Sequence, residues 1–367
     1  MIIIELLILI RSLRKRRERT MTLKEIAAEA GVSVSTVSRV INQGNSNVAS
    51  KEVQNRIWEI VRRTGYTPNS HARNLKSGTV PASSELSHSI ACLFARTPDA
   101  ITDPFFSQLA RSIEKEAFKQ NYILKYSFTS IDIQHPSTFH LIANNQVDGV
   151  AILGRCDKQM LSFLKKYFNH VIYSGLNSLN AKYDQILCEG IKASEAAVEY
   201  LIGLGHKEIA YIGETKEEER YIGYIAALQK HRLPVKKEYI SNVILSSEGG
   251  YSGTKALLER TRDMTAVFCP NDLTAIGAMR ALQEAGLKIP QDISVISIDD
   301  IDMAQYLSPM LTTIHVPLDE MGKTTAKILI DRIQGGHHLP MKISLPFYLA
   351  VRESCAPPRG LKSKPAN

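Results

Sequence analysis

The sequence predicts an α/β protein with a small helical head at its amino-terminal end and a larger body of two lobes. Residues 22–64 contain three short amphipathic helical patterns, and a three-residue turn with a glycine separates the first two. From Ser89 onward, short apolar runs alternate with helical patterns, which is typical of parallel sheets. This region is long for one open sheet, so we expect two lobes.

Each predicted head helix begins at a polar cap. Thr22 and Glu25 form a T-x-x-E capping box, and Ser33 and Ser50 precede the second and third helices. Gly31 ends the first helix and allows the tight turn. The apolar residues recur at helical spacing and predict a shared core, formed by Leu23, Ile26, Ala27, Ala30, Val37, Val40, Ile41, Val53, Ile57, Ile60 and Val61.

Composition divides the chain into five segments. Residues 1–20 are left unassigned, because their apolar run has about half the length of a membrane span and precedes its basic run, the reverse of a signal peptide. A membrane-touching extension is the alternative for this segment. We assign residues 21–67 to the head, 68–88 to a hinge and linker, 89–355 to the body and 356–367 to the tail. Because the tail has no leucine heptads, we expect a homodimer and no coiled-coil tetramer.

Positive charge is concentrated in the head. Residues 1–78 hold 14 Lys/Arg and 6 Asp/Glu, whereas residues 79–367 hold 31 of each. A basic head on a neutral body is typical of nucleic-acid binding, although a basic segment that only aids solubility would give the same count.

The second helix has an outward face suited to DNA recognition. It combines a small apolar group, hydroxyls, a guanidinium and an amide, which can contact a thymine methyl, base edges and phosphates in the major groove. A merely solvated helix would more often carry Glu and Lys. We call this segment the recognition helix, and its outward residues are Val34, Ser35, Ser38, Arg39 and Asn42.

Residues 21–78, from MTLKEIAAEAGVSVSTVSRVIN to PNSHARNLKSG, resemble the head of the lactose-repressor/galactose-repressor family. The resemblance implies a helix-turn-helix transcriptional repressor that binds a palindromic operator as a homodimer. It also implies a hinge helix at residues 69–76, in which an apolar wedge enters the minor groove. The DNA-contacting residues that it implies are Thr22, Val34, Ser35, Thr36, Ser38, Arg39 and Asn42, with Ala72 and Leu75 in the hinge helix.

Residues 89–355 resemble the family's body, which is similar to periplasmic sugar-binding proteins. The resemblance implies two Rossmann-like lobes, three crossovers and a ligand in the cleft at the ends of parallel strands. It rests on Asp103-Pro104-Phe105-Phe106, the R-x-x-G-[FY] stretch at 220–224, the block CPND at 269–272, and PMLTTI at 309–314. Planar polar side chains can meet vicinal sugar hydroxyls, and an aromatic face can cover the C–H face of a sugar. The implied ligand residues are Arg220, Asn271 and Asp299, with Phe105 or Phe106 as apolar wall and Ser174 near a position where relatives often have Asp.

The expected effector is a small sugar, and within the family the chain looks most like galactoside-type repressors. Two departures concern the pocket: Val316 stands about where the lactose repressor has a hydrogen-bonding Gln, and Leu245 near its stacking Trp. A regulator that responds to a purine or to a phosphocarrier protein is the alternative.

Other classes of protein fit the sequence poorly. The stretch Gly250-Tyr251-Ser252-Gly253 lacks the last glycine of a nucleophile elbow, so no catalytic residue is predicted. Five scattered cysteines without C-x-x-C spacing argue against a zinc site or disulfide framework and favour a reducing, cytoplasmic compartment. No metal, cofactor or membrane partner is expected, and a periplasmic carrier would need a signal peptide and no basic head.

Overall fold

The computed structural model describes residues 21–43, 49–64, 66, 88–95, 103–129, 142 and 146–359. The predicted hinge and linker, with Ala72 and Leu75, lie outside these residues. No helix among them is long and apolar enough to cross a membrane.

In residues 21–43 and 49–64 the head forms three helices, α1 (Leu23–Ala30), α2 (Val34–Gln43) and α3 (Lys51–Thr64). The capping box at Thr22 forms as predicted, and Gly31 ends α1 in the left-handed conformation at φ 66°. The Ser33 and Ser50 hydroxyls accept the backbone N–H of Thr36 and Val53 at 3.0 and 3.3 Å. The predicted inward residues are buried apart from Leu23 and Val53, which are half-buried, and Trp58 joins them in the core.

Within residues 88–95, 103–129, 142 and 146–359, the body contains two six-stranded sheets. Their strands are β1 (His88–Phe94), β2 (Tyr122–Thr129), β3 (Gly149–Leu153), β4 (Val171–Gly175), β5 (Asp184–Leu187), β6 (Ile209–Gly213), β7 (Ile240–Asn242), β8 (Ala266–Phe268), β9 (Ser294–Asp299), β10 (Thr312–His315), β11 (Lys342–Ser344) and β12 (Tyr348–Ala350). The sheet of lobe 1 has the order β11-β5-β4-β3-β1-β2, and that of lobe 2 has the order β12-β10-β9-β8-β6-β7. The strand pairs are parallel except for β10 with β12.

Helices cover the faces of both sheets. Lobe 1 has α4 (Pro104–Lys119), α5 (Lys158–Tyr167) and α10 (Leu318–Ile333), and lobe 2 has α6 (Gly190–Gly203), α7 (Glu219–Lys230), α8 (Ser247–Arg260) and α9 (Asp272–Glu284). Short 3₁₀ turns lie at Lys237–Tyr239 and Asp302–Tyr306. Central strands such as β3 and β6 are buried along their whole length, as expected for strands covered on both faces.

The chain crosses between the lobes three times. It passes from β5 to α6, from β10 to α10 and from β11 to β12. The body therefore has the two-lobed architecture with three crossovers that the sequence predicted. The carboxyl ends of the parallel strands meet at the cleft between the lobes, where ligands bind in such sheets.

The head contacts lobe 1 at the carboxyl end of α3. The Lys166 ammonium donates to the backbone oxygens of Arg62 and Arg63 at 2.8 and 3.1 Å, and the Tyr167 hydroxyl donates to the backbone oxygen of Val61 at 3.3 Å. A cation at this end of a helix satisfies carbonyls that have no partner within the helix.

Candidate functional sites: the recognition helix and the interlobe cleft

The recognition helix presents the face that the sequence predicted. Val37 and Val40 are buried against the other head helices, whereas Val34, Ser35 and Arg39 are exposed. Val34 keeps 40% of its surface exposed and does not belong to the core of the head. Ser38 and Thr36 are half-buried beside them, and the side chain of Asn42 is outside the described residues.

Hydroxyl groups at the amino end of the recognition helix form a small network. The Ser33 hydroxyl lies 2.8 Å from those of Ser35 and Thr36. Because hydroxyls rotate, these groups can exchange internal bonds for contacts with base edges or phosphates. Thr22 is exposed, and its side chain is engaged with Glu25 in the capping box.

The cleft brings together residues from both lobes. The empty space between these residues, counted together with its open mouth, is about 440 Å³. Its lining residues follow the carboxyl ends of six strands and are Asp103, Phe105, Phe106, Gly154, Arg155, Tyr173, Gly175, Leu176, Asn177, Glu218, Arg220, Asn271 and Asp299. Five of the six predicted ligand residues are in this set.

Arg220 lies at the start of α7 in a buried ion pair. Its Nε and Nη2 donate to the two carboxylate oxygens of Glu218 at 2.7 and 2.9 Å, and Nη1 donates to the backbone oxygen of Pro270 at 2.8 Å. Burial alone would lower the pKa of Arg220, but the Glu218 carboxylate more than offsets it and raises that pKa. Arg220 is therefore a fixed cation held by its own chain.

Two of the residues that line the cleft, the predicted ligand residue Asn271 and also Asp103, are helix caps. The Asn271 Oδ1 accepts the backbone N–H of Thr274 at 3.1 Å, which leaves its amide N–H groups for other partners. Asp103 caps α4 by accepting the N–H of Phe105 at 2.9 Å. These caps fix the rotamers of side chains at the cleft, so the cap and ligand roles are compatible.

The two phenylalanines of the predicted apolar wall are adjacent at the start of α4. Their ring centroids are 5.1 Å apart in an edge-to-face arrangement, and both side chains are almost fully buried. They give the cleft one aromatic wall, on the side of lobe 1.

The comparisons with known proteins agree with this geometry. Residues 22–69 match the model described as "Bacterial regulatory proteins, lacI family", and residues 198–355 match a periplasmic binding protein-like domain. The HTH-type transcriptional repressor PurR of Yersinia pestis (strain Pestoides F) is 32% identical over 345 residues, which cover 91% of this chain and 97% of that protein. The chain belongs to the lacI family of bacterial regulatory proteins. It is therefore a DNA-binding transcriptional repressor under ligand control.

Solved structures of this family give the same picture. The transcriptional regulator CelR in complex with cellobiose is 26% identical, with a TM-score of 0.69, and covers 91% of this chain and 99% of its own. A lacI-family regulator from Enterococcus faecium with bound ribose is 33% identical, with a TM-score of 0.64 over 73% of this chain and 99% of that one. The fold of this lacI-family chain is thus the predicted one.

Ser174 is the predicted ligand residue that does not line the cleft. It is fully buried in β4, and its neighbours Tyr173 and Gly175 line the cleft instead. Successive side chains of a strand point to opposite faces, so the residues on either side of Ser174 share the other face. Val316 and Leu245 are buried and are also outside the lining set.

The structure adds cleft residues that sequence reasoning missed. Arg155, from the loop after β3, reaches lobe 2, where it pairs with the Glu214 carboxylate and donates to the backbone oxygens of Lys216 and Glu217 at 2.9 and 3.0 Å. A second contact between the lobes lies beside the cleft: the Glu219 carboxylate accepts hydrogen bonds from the backbone N–H and the hydroxyl of Ser178 at 2.8 and 2.7 Å. The signal for these contacts in the sequence is the acidic run ETKEEER at 214–220, which supplies the Glu214 and Glu219 carboxylates.

Asp299 ends β9 in an unusual backbone conformation. Asp299 and Asp300 have φ values of 136° and 61°, a region that residues other than glycine seldom occupy. Asp300 is held by His315 Nδ1 at 2.8 Å and by Arg352 Nη2 at 2.5 Å. These contacts fix the strained turn that points Asp299 into the cleft.

Asp272 stabilises the same turn through hydrogen bonds to residues on both sides of it. Its buried carboxylate accepts the hydroxyls of Ser297 and Thr313 at 2.5 and 2.7 Å and the backbone N–H of Ile301 at 2.8 Å. Burial raises the pKa of Asp272 to about 6, although the two hydroxyl bonds oppose that shift. Asp272 therefore joins α9, β9 and β10 beneath the ligand residues Asn271 and Asp299.

Proposed function

We propose that this lacI-family repressor binds a palindromic operator as a homodimer and that a small sugar between its lobes controls the affinity for that operator. The recognition helix supplies the contacts to the major groove. Two copies related by twofold symmetry match two operator half-sites.

The composition of the cleft is the observation that carries the sugar assignment. Acceptors (the Asp103 and Asp299 carboxylates) and donors (the Asn271 amide) lie around one aromatic wall. A sugar hydroxyl both donates and accepts, so neighbouring hydroxyls fit a lining that mixes the two types. Two similar structures are described with cellobiose and ribose, which supports the same class of ligand.

A purine is the second candidate, because the PurR relative is 32% identical over 91% of this chain. A planar base is best held between two aromatic or apolar faces. Here the aromatic wall of Phe105 and Phe106 comes from lobe 1, and lobe 2 contributes mainly polar groups: Glu218, Arg220, Asn271 and Asp299. This asymmetry favours a sugar, and a galactoside is the specific ligand that we expect.

A thermal-shift screen of the full chain distinguishes these ligands. We expect lactose or another galactoside to raise Tm and to change operator affinity, with ribose and cellobiose as other sugars and hypoxanthine and guanine as purines. The operator is first obtained by selection from a random duplex library. If hypoxanthine or guanine raises Tm and none of the sugars does, the effector is a purine and the sugar assignment is wrong.

A matched pair of variants tests whether the cleft is the binding site. Asn271→Asp keeps an oxygen that can cap α9 but removes the amide donors, so we expect it to weaken sugar binding. Asp157→Asn makes the reverse exchange at the cap of α5, which lies in lobe 1 outside the cleft lining, and should leave sugar binding unchanged. Equal effects of the two variants would argue against this site.

A further inference from the structure

Both arginines of the cleft are committed to acceptors of their own chain. Arg220 is held by Glu218 and by the backbone oxygen of Pro270, as described above. Arg155 is held by Glu214 and by the backbone of residues 216 and 217, and its Nη1 lies 3.8 Å from the Glu218 carboxylate. The charge of each guanidinium is thus already balanced by a glutamate of the chain, so an incoming anion would meet little uncompensated positive charge.

Carboxylates of the chain also cap helix amino termini at the cleft. Helix amino termini can bind anions through backbone N–H groups that have no partner within the helix. At α4, the Asp103 carboxylate accepts the N–H of Phe105, and at α7 the Glu218 carboxylate accepts the N–H of Arg220 at 3.2 Å. Asn271 fills the corresponding position at α9 with a neutral oxygen. Two of these three anion-binding positions therefore already hold a carboxylate.

The charge of the lining residues leads to the same conclusion. Among the described residues that line the cleft, three carry carboxylates (Asp103, Glu218 and Asp299) and two carry guanidinium groups (Arg155 and Arg220). A phosphate or carboxylate on the ligand would meet excess negative charge at low local dielectric, where like charges repel strongly.

Tyr173 supplies a buried hydroxyl that forms no hydrogen bond within the part of the chain that the structure describes. Its side chain is fully buried and lines the cleft, and its hydroxyl has no hydrogen-bond partner among the described residues. The hydroxyl lies against the backbone of Gly175, where an added Cβ would be only 2.5 Å away. Buried hydroxyls are rarely left without a partner, and a ligand in the cleft would provide one.

We propose that the ligand of this cleft is uncharged and that the Tyr173 hydroxyl is one of the groups that hydrogen-bond it. The chain thus rejects phosphorylated forms of its own effector by keeping its cationic and helix-end positions filled. This inference rests on the proposed ligand-controlled repressor and sharpens the class of ligand.

Uncharged ligands and their phosphorylated forms, used as matched probes, test whether the cleft accepts only uncharged ligands. We expect galactose, ribose or hypoxanthine to raise Tm where galactose 6-phosphate, ribose 5-phosphate and inosine monophosphate do not, and inorganic phosphate to show no saturable binding. Glu218→Gln removes one carboxylate and frees Arg220 in part, so it should show saturable phosphate binding, at an affinity at least tenfold above the detection limit set by the wild type. Saturable phosphate binding by the wild type, or a panel in which no uncharged member raises Tm, would overturn the proposal.

A tyrosine pair tests the hydroxyl without relying on the ion pair. Tyr173→Phe should weaken binding of the uncharged probe with the largest shift by about tenfold, as expected for one lost hydrogen bond. Tyr126→Phe is the control, because its hydroxyl on β2 of the same sheet is also buried without a partner but is outside the cleft. Unchanged affinity in Tyr173→Phe, or equal losses in both variants, would remove Tyr173 from the site.

Operator binding separates failure of this inference from failure of the proposed function. Suppose that the chain binds its selected operator and that a phosphorylated sugar changes this affinity. The chain is then still a ligand-controlled repressor, and only the proposal that its ligand is uncharged is wrong. A chain that binds no operator selectively contradicts the proposed function itself. The same preparations serve for both measurements.

Discussion

The head and the cleft of this protein are built in opposite ways. The predicted DNA-facing residues of the recognition helix lie on one helix of ten residues, and Val34, Ser35 and Arg39 among them are exposed, with a small core behind them. The cleft is lined from six separate chain segments, and its key side chains are buried. A local surface changes one function when it is mutated, whereas an assembled and buried site also carries stability. This difference predicts how each region responds to substitution.

The largest effect should come from breaking the buried ion pair of the cleft. Arg220→Met leaves the Glu218 carboxylate buried without its partner, which costs about 3–5 kcal/mol of body stability. The double variant Glu218→Gln/Arg220→Met should recover most of this loss. Urea unfolding followed by far-UV circular dichroism measures both variants. Fluorescence of the single tryptophan, Trp58, which is buried in the head, should change little. Equal stability of Arg220→Met and the wild type would contradict the view that the buried side chains of the cleft stabilise the body.

The next effect is a pH dependence that belongs to the body alone. In the folded chain the pKa of Asp272 is about 6, above its ordinary value of 3.8. Protonation is thus favoured by folding, so the contribution of Asp272 is fully present below about pH 4 and is lost as the pH rises through 6. At 1.36 kcal/mol per pKa unit this amounts to about 3 kcal/mol. Asp272→Asn should lack this dependence in thermal unfolding measured from pH 4 to 7, and parallel Tm curves for the two proteins would rule it out.

A smaller and purely functional effect is expected in the head. Arg39→Ala should weaken binding to the selected operator by about 1–3 kcal/mol and reduce discrimination against random duplex. Arg56→Ala is the matched control, because Arg56 is equally exposed but lies on α3. Neither change should alter the Tm shift that the effector produces. Fluorescence anisotropy with both duplexes measures the discrimination, and identical losses in the two variants would show that the recognition helix contributes charge without specificity.

The smallest effect concerns a cap behind the recognition helix. Ser50→Ala removes the side-chain bond to the N–H of Val53 and should cost about 1 kcal/mol of head stability. Trp58 fluorescence during urea unfolding reports this loss. Operator discrimination in the absence of urea should be unchanged, and a changed discrimination would mean that the recognition helix depends on α3 more than its packing indicates.

The same contrast explains what could be predicted from the sequence. Caps, turn and core of the head follow from patterns within a few residues, and the structure reproduces them from Thr22 to Val61. In the cleft, Arg220, Asn271 and Asp299 were found because their local stretches are distinctive. Arg155 lines the cleft because its loop meets lobe 2, which no local pattern encodes. At β4 a sequence pattern does not tell which strand face meets the cleft: the prediction names Ser174, whereas its neighbours Tyr173 and Gly175 line the cleft.

The domain boundaries and the roles of the predicted DNA-contacting and ligand residues remain predictions. Ala72 and Leu75 belong to the predicted hinge, the segment that must connect cleft and head. A coupling between two sites is reciprocal, so it can be measured from either end.

Titration of the effector into the full-length chain, with and without the selected operator, is the most direct test of this coupling. We expect the operator to change effector affinity by the same factor by which the effector changes operator affinity, about 5–150-fold for a typical allosteric protein. Identical effector affinity in the two titrations would contradict the account, because the head and the cleft would then be two independent binding sites on one chain.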